Sequence, residues 1–205
     1  MSERPLTRKE RQAHTRARLM HSAARVAAAR GLEGASLDLV AEEAGFTKGA
    51  VYANFDSKEA LFLAMLDQRF EDRLAEIDRT LHGGGTIQEQ ARRAGGDFIS
   101  AIAAAPEWER LFFEFAVYAA RNEGFRTELV DRYRGLRERI AALLEERARE
   151  LAIEPAIPPR QLALMTFAMA NGVALERLLE PEAVDDELFP TMLATFFAGL
   201  APEES

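Results

Sequence analysis

The side chains best suited to contact another molecule lie between residues 36 and 58. Lysine ammonium groups in this stretch can reach phosphate oxygens or the acceptor atoms of guanine, and the hydroxyl and amide groups can bind phosphate. Two of these residues stand where a helix should begin, and the free backbone amides of a helix start favour an anion. The stretch therefore predicts contacts to a phosphate-rich partner from Ser36, Lys48, Gly49, Ala50, Tyr52, Asn54 and Lys58.

Residues that perform catalysis or bind metals are scarce. The chain has no cysteine, and its three histidines are His14, His21 and His82, so thiol chemistry is excluded and the common zinc sites lack ligands. We find no nucleophile with a nearby base and no glycine-rich phosphate loop beside a strand. An enzyme built on the helical body is the alternative from another class of protein. We expect no enzymatic activity, no metal and no cofactor.

Charge is unevenly distributed along the chain. The formal net charge is -8 over 205 residues, yet residues 1–30 hold eight Lys/Arg against two acidic residues. A basic segment on an acidic remainder is typical of a protein that meets a polyanion with one end, although a solvated basic tail is the alternative. No apolar run approaches the roughly 18 residues that span a bilayer, and no signal peptide is recognisable, so we expect a cytoplasmic protein without a membrane partner.

The spacing of apolar residues predicts an all-α fold. Helices are expected at about 9–30, from Ser36, and at about 48–54, 58–81, 86–105, 106–121, 125–151, 159–179 and 186–200. Glycine and proline mark the breaks between them. We predict an N-terminal three-helix head over residues 1–56, followed by a larger helical body over residues 57–205.

Two helices of this head have the spacing they need to cross closely. Ala41 is small at the crossing, Gly45 can take the positive φ of a sharp corner, and Thr47 can cap the next helix. The short helix that follows turns Lys48 and Tyr52 outward, and a major groove about 12 Å wide admits one such helix. This pattern predicts a helix-turn-helix that binds double-stranded DNA. A corner that merely packs a bundle is the alternative.

The stretch from Ala44 to Leu61, AGFTKGAVYANFDSKEAL, resembles the signature of TetR-family transcriptional regulators. The resemblance covers about residues 15–65 and includes the preceding helix end ARVAAARG. It implies a homodimer with the third helix in the major groove, a fourth helix that leads to a ligand-binding body, and two helices per subunit in a dimer bundle. It also implies DNA contacts from Thr47, Lys48, Gly49, Tyr52 and Lys58. Asn54 stands where many members carry histidine.

The segment from Leu111 to Ala120 is apolar all round except for Glu114, which predicts an interior helix. Its aromatic residues either pack the core or line an apolar ligand cavity that Glu114 faces. A buried carboxylate needs a partner, which here would be a cationic ligand or an internal arginine such as Arg121. The candidate pocket residues are Phe98, Ile102, Trp108, Phe112, Glu114, Phe115 and Tyr118.

The last two predicted helices carry apolar stripes at helical spacing. Such stripes could close the core of their own chain, but the resemblance favours the dimer bundle. Gly172 interrupts the first stripe and would let two backbones approach closely. The candidate dimer residues are Leu162, Met165, Met169, Val173, Leu188, Met192 and Phe196.

The leading functional hypothesis is a repressor that binds a palindromic operator as a dimer. A small, largely apolar effector entering the body would release it by a shift transmitted along the fourth helix. A transcriptional activator would share every head residue. A helical adaptor that binds protein instead of DNA predicts that changing Lys48 and Tyr52 to alanine leaves function intact.

Overall fold

The computed structural model describes residues 7–200, and every regular element in that range is helical. The all-α prediction is confirmed, and the predicted bounds of the fourth, sixth and eighth helices coincide with the observed ones. The helices are α1 (Arg8–Gly34), α2 (Leu37–Ala44), α3 (Lys48–Tyr52), α4 (Lys58–Leu81), α5 (Ile87–Ala104), α6 (Pro106–Arg121), α7 (Glu123–Glu150), α8 (Pro159–Leu179) and α9 (Leu188–Ala198), with a 3-10 turn at Pro181–Ala183.

Local capping chemistry sets many of the helix ends. Thr7 and Thr86 each accept a hydrogen bond from the backbone of a glutamate three residues later, which bonds back to the cap, so α1 and α5 both begin with a capping box. Gly31 interrupts the helical backbone of α1 at φ 70°, and Gly45 ends α2 at φ 68°. Glycine adopts these positive φ values without the steric cost that a Cβ would bring.

Packing divides the chain into two compact units. Within residues 7–200, the first unit comprises residues 7–69 together with Arg110–Leu129, and the second comprises Phe70–Glu109 and residues 130–200. The first unit therefore contains α1 to α3, the start of α4, most of α6 and the start of α7. Packing thus groups the distant segment Arg110–Leu129 with the head. The division into two domains after residue 56 stays a prediction.

The first unit has an aromatic core at its centre. The ring of Phe115 lies 6.5 Å from that of Phe62 and 6.1 Å from that of Phe125, and all three side chains are buried. Leu19, Val40 and Val51 are also buried and come from α1, α2 and α3 respectively. Burying such side chains is the main source of stability for a unit of this size.

The second unit is built on a close contact between α5 and α9. A Cβ added to Gly95 would lie 2.6 Å from the Pro190 Cα atom, so the two backbones touch at this point. Phe98 and Phe189 pack beside it with their ring centres 5.0 Å apart. A further cluster joins α4, α7 and α8 through Leu74, Leu136, Ile140, Ala141 and Ala163.

Helix α8 corrects the expectation that no apolar run approaches the length that spans a bilayer. By length and composition alone it is long and apolar enough to cross a membrane, although only 22% of its most apolar 18-residue window is buried inside the chain. Leu162 and Val173 are buried, whereas Leu164, Met165 and Leu179 are exposed. Thus one side of α8 packs the second unit and another side is apolar and uncovered in the single chain.

Candidate nucleic-acid interface

The corner between α2 and α3 forms as its residues predict. Ser36 Oγ accepts a hydrogen bond from the Leu39 backbone amide at 3.2 Å and begins α2. Thr47 Oγ1 accepts from the Ala50 amide at 3.2 Å and begins α3. Between them the backbone amide of Phe46 donates to the Ala41 carbonyl at 2.9 Å, which closes the turn. The two side-chain caps fix the direction in which α3 leaves the corner.

Helix α3 buries one residue and exposes three of its five residues to solvent. Val51 is fully buried, and Ala50 is half-buried. Lys48 and Gly49 are exposed, and 55% of the surface of Tyr52 is accessible. The outward face of α3 therefore combines a cation, a residue without a side chain and an aromatic hydroxyl.

Within residues 7–200, no contact accounts for the glycine at position 49. A Cβ built on Gly49 would meet only the Thr47 Oγ1 atom, at 4.0 Å, and its backbone is helical. A glycine inside a helix costs about 0.5–1 kcal/mol relative to alanine. Its presence is explained if a partner approaches the backbone of α3 more closely than a methyl group allows.

The only cation of α3 is paired with an acid of α2. Lys48 Nζ lies 2.5 Å from Asp38 Oδ2, and both side chains are largely exposed. The hydrogen bond with the Asp38 carboxylate, followed by its charge, raises the pKa of Lys48. Lys48 is therefore a cation at neutral pH, but its charge is locally balanced. No pattern in the sequence predicted Asp38 as part of this surface.

Two arginines of α1 donate hydrogen bonds to backbone carbonyls at the carboxyl end of α2 and just beyond that of α3. Arg18 donates to the Ala44 carbonyl at 3.0 Å, and Arg16 donates to the Asn54 carbonyl at 2.8 Å. Each guanidinium also lies over an aromatic ring, Phe46 for the first at 4.6 Å and Phe55 for the second at 4.2 Å. Part of the basic charge of α1 thus has a defined structural position.

Asn54 closes α3 with its own side chain. Its Nδ2 atom donates to the Ala50 carbonyl at 2.8 Å, and the residue is half-buried. The amide carries a second N–H group, and the predicted phosphate contact from it stays a prediction.

Lys58 is directed at the end of α1. Its Nζ atom donates to the carbonyl oxygens of Leu32 at 3.2 Å, Glu33 at 3.1 Å and Ala35 at 3.4 Å. It also lies 5.5 Å from the centre of the Tyr118 ring. These carbonyls follow the break at Gly31 and have no continuing helix to bond, so the ammonium group supplies their donors.

Family models match both parts of the chain. Residues 19–65 match the model described as bacterial regulatory proteins of the tetR family, and residues 87–202 match the model of the C-terminal part of BetI-type transcriptional repressors. The second match alone spans more than half of the chain. The chain belongs to the TetR family of transcriptional regulators.

Three similar proteins illustrate the match. The HTH-type transcriptional regulator YfiR of Bacillus subtilis, which is uncharacterised, is 25% identical over 188 residues and 89% of each chain. The transcriptional activator FasR of Mycolicibacterium smegmatis is 30% identical over 99 residues, 48% of this chain and 45% of its own. The FadR regulator of Bacillus subtilis, in a complex with stearoyl-CoA, has the same fold with a TM-score of 0.74 at 15% identity, covering 88% of this chain and 96% of its own.

In this TetR-family chain, α6 residues of the first unit form polar contacts with other segments of the same unit. Tyr118 donates its hydroxyl to Glu59 Oε1 at 2.7 Å. Burial and this hydrogen bond raise the pKa of Tyr118 to about 12. Burial also acts to raise the pKa of Glu59, but the hydrogen bonds from Tyr118, the backbone and Ser57 outweigh it, and the pKa is lowered. The pair is therefore a phenol donating to a carboxylate at neutral pH.

Glu114 is placed differently from the prediction. It is exposed, and its Oε2 atom accepts a hydrogen bond from the Leu32 backbone amide at 3.4 Å. A Cβ added to Gly31 would lie 3.3 Å from the same oxygen. Arg121, the suggested internal partner, instead lies 3.6 Å from Glu33 with both side chains exposed. The carboxylate meets the backbone at the end of α1 rather than an interior arginine.

The other predicted pocket residues fall into both units. Phe115 is fully buried in the aromatic core of the first unit, and Ile102 is buried in the second. Phe98 packs on the core around Phe189. Trp108 and Phe112 are half-buried. For Phe98 and Phe115 these contacts favour the core-packing alternative, and a ligand role for the set stays a prediction.

The predicted dimer residues divide by exposure. Leu162 and Val173 are buried within their own chain, so a partner cannot reach their side chains. Met165 and Leu188 are exposed, at 40% and 41%. The remaining three, Met169, Met192 and Phe196, are half-buried. Exposed apolar residues that the prediction omitted are Leu164, Leu175 and Leu179.

Proposed function

We propose that this TetR-family regulator binds a palindromic operator as a homodimer and inserts α3 into the major groove of each half-site. The observation that supports this most is the outward face of α3, where Lys48 and Tyr52 flank Gly49. No packing contact among the described residues requires a glycine at position 49, which supports a surface that approaches base edges closely. The exposed cation and hydroxyl are the groups that bind guanine edges and phosphates.

We propose α8 and α9 as the homodimer interface. α8 leaves Leu164, Leu175 and Leu179 exposed, and apolar residues grouped in this way on a helix indicate a protein surface that a partner covers. Gly172 is exposed and has open space around it, so a second backbone can approach there. A variant with glutamate at Leu164 and Leu175 should sediment as a monomer. A dimer of unchanged stability would contradict this interface.

The proposed effector is a small, mainly apolar molecule bound by the body. The same fold binds stearoyl-CoA in the FadR complex, which supports an apolar chain as the first effector class to test here. α6 runs from the second unit into the first, where Glu114 and Tyr118 bond to the end of α1 and the start of α4. An effector that displaces α6 would disturb these contacts, which adds a second route to the expected one along α4.

Repression is the proposed sign of regulation. The model that matches residues 87–202 is described as that of transcriptional repressors, which favours repression by blocking transcription from the operator. Activation is the second candidate, because the similar FasR protein is named an activator. A reporter gene placed behind the selected operator distinguishes the two, since deletion of the regulator raises expression only for a repressor. We also propose that the protein acts in the cytoplasm and is not an enzyme.

Selection of duplexes from a random DNA pool at two salt concentrations tests the proposal. The wild type should enrich a palindrome, and raising the salt should weaken its binding steeply because phosphate contacts release counterions. The double variant Lys48→Ala, Tyr52→Ala should lose the enrichment while it keeps the helical content of the wild type. Equal enrichment by the variant, or none by the wild type, would contradict DNA recognition through α3 and favour the protein-binding adaptor.

Release of the operator by stearoyl-CoA provides the matching effector test. Free coenzyme A is the control, because it shares the polar part of the probe and lacks the apolar chain. Release by stearoyl-CoA alone would support an apolar effector. A panel of apolar and polar small molecules in which only polar ones cause release would contradict it.

A further inference from the structure

The pair formed by Lys48 and Asp38 places an acid directly beside the groove-facing cation. Lys48 Nζ and Asp38 Oδ2 lie 2.5 Å apart, and the side chains are 68% and 47% exposed. Lys48 is the only cation in α3, and Asp38 lies in the first turn of α2. The surface that would meet DNA therefore presents both charges together.

The pair contributes little to the stability of the fold, because exposed ion pairs gain small net energies in water. Asp38 is already favourably placed by the free amides of the first turn of α2 and does not depend on Lys48. In contrast, a carboxylate beside this cation opposes the approach of a polyanion and competes with phosphate for the ammonium group. Asp38 thus weakens binding to any DNA that offers it no hydrogen-bond donor.

A G·C base pair offers groups that match both members of the pair. Guanine presents two neighbouring acceptors, O6 and N7, and the paired cytosine presents the N4 donor at the other side of the major groove. An ammonium group fits the first two atoms, and a carboxylate fits the third. An A·T pair places the thymine O4 acceptor and methyl group where the carboxylate would need a donor.

Building on the DNA binding proposed above, we propose that Asp38 and Lys48 together read a G·C base pair in each half-site. Lys48 donates to guanine, and Asp38 accepts from the N4 group of cytosine. On other sequences Asp38 retains the ammonium group and keeps it from the phosphates. Asp38 is then a specificity-determining residue, which lowers affinity for unrelated DNA more than for the operator.

The experiment compares the full-length wild type with Asp38→Ala and Asp38→Asn, using duplex selection and binding to an unrelated duplex over a series of salt concentrations. Asparagine keeps the shape of the side chain and removes its charge. Asp38→Asn therefore separates the effect of the charge from any disturbance of α2 that alanine causes. Glu43→Gln is the matched control. Glu43 lies in α2, as Asp38 does, and forms an exposed ion pair with Arg25 at 2.8 Å. This substitution also removes one negative charge.

For the wild type we expect one position of each half-site to be restricted to G·C. In Asp38→Ala this preference should fall about tenfold per half-site, the cost of a lost base contact. Binding to the unrelated duplex should become tighter, and its salt dependence should steepen by about 2 in log–log slope for a dimer, because two lysines are freed for phosphates. Asp38→Asn should show the same increase in affinity and slope, and Glu43→Gln should keep the G·C preference.

The outcomes separate this inference from the proposed function. If the wild type enriches no duplex, both are overturned. If it enriches a palindrome and the Asp38 variants keep its base preferences and salt slope, the inference alone is overturned. Loss of all DNA binding by folded Asp38 variants also overturns it, since the inference requires tighter binding to unrelated DNA.

Discussion

Replacing Lys58 by methionine should destabilise the protein even in the absence of DNA. The ammonium group donates to three carbonyls at the end of α1 at 3.1 to 3.4 Å. A hydrogen bond from a charged group contributes about 1.5–3 kcal/mol when buried, but these groups are only partly buried, so we expect a total loss of about 2 kcal/mol. In a chain of this length 1 kcal/mol lowers the unfolding midpoint by about 2–4 °C, which predicts a decrease of about 4–8 °C.

Thermal unfolding followed by circular dichroism measures this effect, with Lys48→Met as the control. That variant removes the same charge and the same side-chain length from an exposed position, so its midpoint should change by no more than the equivalent of about 0.5 kcal/mol. If Lys58→Met unfolds at the wild-type temperature and loses operator binding, the reasoning is refuted. Lys58 would then serve the phosphate contact that the family resemblance implies, and the contacts to α1 would be dispensable.

Three other substitutions test separate features of the molecule. Gly49→Ala should stabilise the protein by about 0.5 kcal/mol in thermal unfolding and weaken operator binding at least tenfold, since the methyl group fills space that a base edge needs; undiminished binding would contradict close approach. Gly95→Ala should destabilise the second unit by about 1–3 kcal/mol because its Cβ meets the backbone of α9, whereas Gly96→Ala, with open space around it, should be neutral or stabilising. Tyr118→Phe should cost about 1 kcal/mol at neutral pH through the lost hydrogen bond to Glu59. Because the folded-state pKa of Glu59 is lowered, this stabilisation is fully present when the pH is above the ordinary pKa of a glutamate, and it is lost as the pH falls through the lowered pKa. The unfolding midpoints of the wild type and Tyr118→Phe should therefore converge in acid. A constant difference between them would show that the carboxylate is not involved.

The elements of the fold could be predicted because their signals are local. Ser36 and Thr47 cap helices through amides only three residues away, and Gly31 and Gly45 break helices by their own backbone conformation. Such interactions leave a recognisable spacing in the sequence. The helix-turn-helix was therefore predictable as a geometry and, through its motif, as a family.

The polar contacts that fix the head were not predictable in the same way. Arg16 bonds a residue 38 positions away, and Arg18 bonds one 26 positions away. A surface arginine that contacts only solvent has the same helical spacing as one that ends another helix. The basic charge near the N-terminus was therefore interpreted as attraction for a polyanion or as a solvated tail, and its structural role was missed.

The apolar pattern of α6 was interpreted too simply. A helix that is apolar all round predicts burial, yet 53% of Val117 is accessible and Glu114 is exposed. Hydrophobic periodicity predicts that a helix packs against apolar residues, but it does not predict which segment of the chain provides them. The contact between Glu114 and the end of α1 joins residues 82 positions apart, and no sequence motif predicts it.

The two arginine caps also bear on how the head attracts DNA. The carboxyl end of a helix carries partial negative charge, which would repel phosphates. Arg18 places a positive charge at that end of α2, and Arg16 places one just beyond that end of α3. At the amino ends, the first turn of α2 holds the acidic Asp38, whereas the first turn of α3 holds no acidic residue. The same contacts that stabilise the corner thus offset the negative partial charge at the carboxyl ends of α2 and α3, which favours the approach of a polyanion to the head of this acidic chain.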